Sequence, residues 1–177
     1  NSIVEQNTAA IFALGIYLGS SSFEKFVGKV ITDEMKNHHR PNQVVLSERG
    51  DLLLHFIYSA ILQILSNKGI SHGIGELKEL LDSDGGSGFS FVDLGADRAG
   101  VNFVNNLTNP NTARKMQRIL SENDNEFLFF PNFLDLPEGL SDKEYQLRYG
   151  GVNDMRYKNM LKEIDSRLAK LAISMTN

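Results

Sequence analysis

Apolar positions recur at three- and four-residue spacing along most of the chain, and almost nowhere at the two-residue spacing of a strand. Residues 3–18 (IVEQNTAAIFALGIYL) read as a mostly buried helix that stops at Gly19. Ser20, Ser21 and Ser22 offer a cap for a second helix from Phe23 to about Lys36, with Phe23, Phe26, Val27, Val30 and Ile31 on one face. Pro41 ends it, because its ring biases the preceding residue away from the helical region. A third helix, from Ser47 or Gly50 to Ser66, carries the most apolar run of the chain.

A fourth helix is expected over Ile74–Leu81, then a glycine-rich loop from Asp82 to Gly88. Ser90 followed by Asp93 resembles a capping box and opens a fifth helix that reaches about Asn105. NLTNPNT reads as a turn, and Thr112–Ser121 as a short basic helix with Ala113, Met116, Ile119 and Leu120 inward. Residues 127–137 (FLFFPNFLDLP) hold four Phe and two Pro, so they read as a loop packed onto the core. Ser141 with Glu144 predicts another capping box, for a helix that ends at Tyr149 before Gly150 and Gly151. The last helix starts at Asn153 or Asp154 and runs to about Ser174, with Met160, Leu161, Ile164, Leu168 and Leu171 inward.

The expected fold is therefore all-α: one domain of about six to eight helices over 1–177, with a central buried helix. Its centre is 49–105, and the helices of 112–177 pack on it. A chain of 177 residues is long enough for one substantial core and short for two. Net charge is −4 without a basic block, which argues against nucleic acid as a partner. The absence of cysteine removes disulfides, thiolate metal sites and a cysteine nucleophile. The longest apolar run, Leu52–Leu65, is too short and too interrupted to span a bilayer. The chain begins at Asn1. An exported protein whose signal peptide has been cleaved would begin this way, and so would a trimmed chain.

The candidate chemistry lies in the centre. The third helix is broken by Asp51, His55, Ser59 and Gln63, at i, i+4, i+8 and i+12 along one stripe. Polar groups on an otherwise apolar helix are costly unless each finds a partner. Glu76 and Glu79 share a face of the fourth helix, and Asp93 and Asp97 a face of the fifth. Convergence of His55, Glu79, Asp93 and Asp97 would suit general acid–base chemistry or a divalent metal. The same pattern also fits a polar network that only sets helix register. Gly95 and Gly100 within a helix point to close backbone approach at a crowded crossing.

The segment Asp82–Asp93 (DSDGGSGFSFVD) has two readings. One is a calcium loop of EF-hand type with Asp82, Asp84 and Asp93 as ligands. Against it stand Gly86 at the fifth position, Ser87 where glycine is expected, and Asp93 where a bidentate Glu is usual. The favoured reading is a Gly/Ser connection ending in a helix cap. His38 and His39 suit a helix end, and His72 is placed to join the central cluster. The Phe-rich segment 127–133 fits a lid over the core, or a membrane or partner patch.

Asp51, His55, Phe56, Ser59 and Ala60, then Gly75, Lys78, Glu79 and Asp82, then Gly88, Phe89, Ser90, Asp93, Leu94, Ala96, Asp97 and Gly100 together form a pattern. It resembles the YfiM-type bacterial lipoproteins and, more distantly, the VanZ-like proteins. The resemblance covers residues 50–104 only. It implies a bacterial protein of the cell envelope or periplasm, with a membrane-surface or envelope partner. It implies no defined activity, and a cytoplasmic protein is compatible with the rest of the sequence. VanZ-like proteins are membrane-embedded, whereas the flanking helices here read as soluble. The sequence therefore supports an acid–base or metal-dependent hydrolase at His55, Glu79, Asp93 and Asp97. The alternatives are a structural protein and a calcium-stabilised domain.

Overall fold

The computed structural model describes residues 2–32, 44–69 and 88–174. Six α-helices lie among them: α1 (Ile3–Leu14), α2 (Gly50–Asn67), α3 (Phe91–Thr108), α4 (Ala113–Glu122), α5 (Asp142–Tyr149) and α6 (Met155–Ala169). No strand is present among the described residues, so the fold is compact and all-α. The expected fourth helix, with Glu76 and Glu79, and the loop residues Asp82 and Asp84 lie outside the described residues, as do His38, His39 and His72.

The core is built on the α2–α3 pair. Leu52, Phe56, Ala60, Ile61, Ile64 and Leu65 of α2 meet Val92, Ala96, Ala99, Phe103 and Val104 of α3, and all are buried. His55 pairs with Asp97 and Gln63 with Asn105, in each case 42 residues apart, so the two helices run parallel. They approach closely at Gly100. A Cβ there would collide with the backbone carbonyl of Phe56, and a Cβ on Gly95 would come within 2.7 Å of the Phe133 ring. Gly100 thus sits at a close backbone crossing, as its placement inside a helix implies, whereas Gly95 makes room for a side chain, the Phe133 ring from the loop.

Residues 127–137 close the core from a loop. Phe130 and Phe133 are fully buried and meet edge to face at 5.5 Å between ring centroids, while Phe127 points outward. Arg167 of α6 ties this loop down through the Asn132 carbonyl and the Asp135 carboxylate. The Ser141–Glu144 capping box opens α5, and Gly150 ends it at φ +68°, a left-handed cap that glycine adopts without strain.

Three expectations change. Over its described part, 23–32, the helix predicted for 23–36 is a 3₁₀ turn, Ser21–Phe26, followed by irregular chain; 33–36 lie outside the described residues. Gly28 turns the chain at φ +89°, and the Glu24 carboxylate accepts from Val30 and Ile31 N–H, so these amides do not enter a helix. Val27 and Val30 are exposed rather than on a buried face. α3 runs on through Thr108, into the predicted turn. α6 stops at Ala169, with turns rather than helix to Ser174.

α1 starts with a capping box, Ser2 with Glu5, and buries Asn7. The Asn7 amide donates to the Leu107 carbonyl at 2.8 Å and accepts from Gln117 at 2.7 Å, joining α1 to α3 and α4. Asn7→Ala leaves buried polar atoms without partners and should cost about 1–3 kcal/mol in chemical denaturation. Gln117→Ala, which removes only the partly buried side of this bridge, should cost less.

Candidate functional site

The site forms where the N-terminal halves of α2 and α3 meet. Ser47 and Glu48 both adopt left-handed backbone, at φ 49° and 62°, in a tight turn closed by the Leu46–Arg49 hydrogen bonds. This conformation is uncommon for non-glycine residues, and strain of this kind clusters at functional sites. The turn delivers Arg49 to the N-cap of α2 in extended conformation. On the other side, the Ser90 hydroxyl accepts from Asp93 N–H and caps α3. Phe89 pairs with Leu140, and Phe91 N–H donates to the Pro137 carbonyl, which brings Glu138 alongside.

Four of the stripe positions on α2 find partners across this seam. Asp97 Oδ1 accepts from Ser59 Oγ at 2.8 Å and lies 3.1 Å from His55 Nδ1. His55 Nε2 then faces Asp93 Oδ2 at 3.8 Å, beyond hydrogen-bond range. Asp51 is gripped by Arg49 through Nε and Nη2, and Arg49 Nη1 reaches Glu138 at 2.8 Å. Gln63 donates to Asn105 at 3.2 Å and to Asn67. The structure thus brings His55, Asp93 and Asp97 together, with Arg49, Ser59 and Glu138 around them. Glu79, the fourth expected member, lies outside the described residues.

The electrostatics follow from this placement. Burial disfavours the His55 imidazolium, but the bond to Asp97 and the charges of Asp97, Asp93 and Asp51 outweigh it and raise the His55 pKa above its ordinary value. Burial also raises the Asp93 carboxyl, and the nearby His55 and Arg49 offset this only in part. Asp93 Oδ1 is buried without a hydrogen-bond partner among the described residues; the closest cation is Arg49 Nη2, 3.8 Å away. Arg49 holds the Asp51 carboxylate below its usual range.

A raised histidine stabilises the fold fully below its unfolded pKa near 6.5, and that contribution is lost as pH rises through the folded value. The raised Asp93 carboxyl acts in the same sense, since its penalty is relieved as pH falls toward 3.8. Urea denaturation should accordingly show stability falling as pH rises past about 6.5. His55→Gln should flatten that part of the profile.

Ser59 is not placed as a nucleophile, because its hydroxyl is bound to Asp97 rather than to the imidazole. No group of three His, Asp or Glu side chains among the described residues is disposed to hold a metal ion. Of the expected calcium ligands only Asp93 lies among them. A groove of about 590 Å³ runs between α3 and α6, beginning at Asp97 and passing Val101, Asn102 and Leu168. It is crossed by the Arg98–Asp165 ion pair, with both nitrogen–oxygen bonds at 2.8–2.9 Å.

Compared with known proteins, the chain matches no family model, no curated protein and no solved structure.

Arg49 and Glu138 were beyond sequence reasoning. They meet 89 residues apart, and the turn that aims Arg49 uses Ser47 and Glu48, neither of which announces a left-handed backbone. The exposed Asn105 partner of Gln63 carries a signal that reading helix faces pairwise would find. Asp93, Asp97 and Asn105 share one stripe of α3, as Asp51, His55, Ser59 and Gln63 share one of α2.

Proposed function

We propose that this is a protein of the bacterial cell envelope in which Asp97 and His55 form a proton-transfer dyad. Asp97 fixes the imidazole through Nδ1, and His55 Nε2 is the atom that takes and returns a proton, activating water for hydrolysis. Asp93, opposite Nε2 and with a carboxyl pushed toward protonation by burial, is the partner acid. The observation that carries this reading is an imidazole bound at Nδ1 by Asp97 whose Nε2 has no hydrogen-bond partner among the described residues and faces Asp93 Oδ2 at 3.8 Å. Such division of roles between the two ring nitrogens is what general acid–base catalysis requires. The His55 side chain is itself 25% exposed, which admits water to the ring; the groove between α3 and α6 touches Asp97 but neither His55 nor Asp93. The envelope location rests on the resemblance of residues 50–104 alone.

The deciding measurement is the titration of the His55 ring by proton NMR. Asp97→Asn removes the charge and acceptor at Nδ1, so the imidazole pKa should fall toward or below its ordinary value; Asp93→Asn should lower it less. An imidazole that titrates at the ordinary value and ignores Asp97→Asn would overturn the dyad. With a hydrolysable ester, amide or phosphoester identified by screening, His55→Gln should lower turnover by about 10²–10⁴-fold.

A second reading has its own support. The seam continues past the dyad to Gln63 and Asn105, where no ionisable group takes part. That extension is a register device between two parallel helices, and it serves a structural role whatever His55 does. The reading as a register device alone predicts that His55→Gln changes stability and no chemistry.

A further inference from the structure

The three most exposed large hydrophobic side chains among the described residues are Leu147 at 73%, Val152 at 62% and Met155 at 59%. They fall within nine residues, at the turn that joins α5 to α6. Chance exposure of single apolar residues is ordinary; three at one turn is not. The turn is also firmly built. Gly150 and Gly151 take left-handed backbone, at φ +68° and +92°. Asp154 caps α6 and binds Arg156 through both carboxylate oxygens, and Arg156 reaches back to the Leu147 carbonyl at 2.7 Å. Apolar groups are thus displayed on a fixed tip.

The charge around the tip is basic in excess: Lys143, Arg148, Arg156, Lys158 and Lys162 stand against Asp142, Glu144 and Asp154. Lys143 lies one turn before Leu147 on α5, and Lys158 and Lys162 follow Met155 along one stripe of α6. None of the three makes an ion pair among the described residues. Of the neighbouring acids, Glu144 is held in the capping box with Ser141 and Asp154 binds Arg156, while Asp142 stands beside Lys143. Apolar side chains at the front and unpaired lysines one or two turns back match the depth profile of a membrane interface. The former enter the acyl boundary, and the latter lie at the level of anionic headgroups. In the segment 127–137, Phe127 and Leu134 are exposed singly, seven residues apart, while Phe130 and Phe133 turn into the core.

We propose that the α5–α6 turn docks the protein on an anionic membrane surface, with Leu147, Val152 and Met155 inserted and Lys143, Lys158 and Lys162 on the headgroups. The docking uses none of the dyad residues and stands or falls apart from their chemistry. The test is co-sedimentation of the whole chain with vesicles of phosphatidylcholine alone or mixed with phosphatidylglycerol. The chain should bind the mixed vesicles about tenfold better, and salt should weaken that binding. The triple substitution Leu147→Ser, Val152→Ser and Met155→Ser should abolish it. Replacing the three lysines by Gln should erase the preference for anionic vesicles. The substitutions are at exposed positions, and unchanged circular dichroism would confirm the fold. Equal binding to both vesicle types, no binding to either, or undiminished binding by the serine variant would overturn the proposal. So would a self-associated parent chain that the serine substitutions render monomeric, which would make the turn a contact between copies.

Discussion

Phe130→Ala should destabilise the protein by about 3–5 kcal/mol, the range for removing a fully buried ring. Phe130 sits in an irregular segment, yet it is entirely enclosed and meets Phe56 of α2 and Phe133. The neighbouring rings are held by Phe103 and Phe129, so the cavity cannot collapse without moving α2 and α3. Against a typical domain stability of about 5–15 kcal/mol, this one truncation brings the protein near its unfolding threshold. Phe127→Ala, three residues earlier and mostly exposed, should change stability by less than about 0.5 kcal/mol. Urea denaturation of the two variants gives the contrast directly. Similar costs would mean that the loop is not part of the core.

Gly100→Ala should be the second largest loss. On an exposed helix this change would stabilise by about 1 kcal/mol, since alanine is the better helix former. Here the added methyl falls on the Phe56 carbonyl of the adjoining helix. Backbone cannot rotate out of the way as a side chain can, so α2 and α3 must separate and loosen the whole seam. Overpacking of this kind costs about 1–3 kcal/mol net, and more where backbone must move. Because the dyad spans the same seam, the His55 pKa should fall toward its ordinary value in this variant as the contact with Asp97 lengthens. Gly95→Ala, which meets the edge of the Phe133 ring instead, should cost less. A stable Gly100→Ala variant with an unmoved His55 titration would show that the helices are less tightly apposed than described.

What the sequence made legible was whatever repeats along a single helix. The stripe Asp51, His55, Ser59, Gln63 was readable because helical spacing puts it on one line, and the cost of leaving it unpaired predicted partners on another helix. The glycines of α3 were readable because a helix tolerates them poorly without a reason. The 3₁₀ turn at Ser21–Phe26 reads in the sequence as the start of a longer helix for the opposite reason. Its apolar spacing satisfies the helical pattern, but spacing carries no information about Glu24 capturing the amides of Val30 and Ile31. Asn7 was hidden because its partners lie about a hundred residues away, at Leu107 and Gln117. Arg49 was hidden because a left-handed turn of Ser and Glu sets its direction. The centre of the site was thus predictable and its rim was not.

The parallel course of α2 and α3 also bears on how the chain reaches this structure. Two helices that follow one another and pack antiparallel can zip from their shared turn, each contact shortening the loop left to close. Here the contacts fall at nearly constant separation, 38 residues for Ser59–Asp97 and 42 for both His55–Asp97 and Gln63–Asn105. No early contact shortens the loop for a later one, so most of the ordering entropy is spent before the seam returns any energy. Refolding should therefore be slower than in an up-and-down bundle of the same length, with the α2–α3 seam as its rate-limiting encounter.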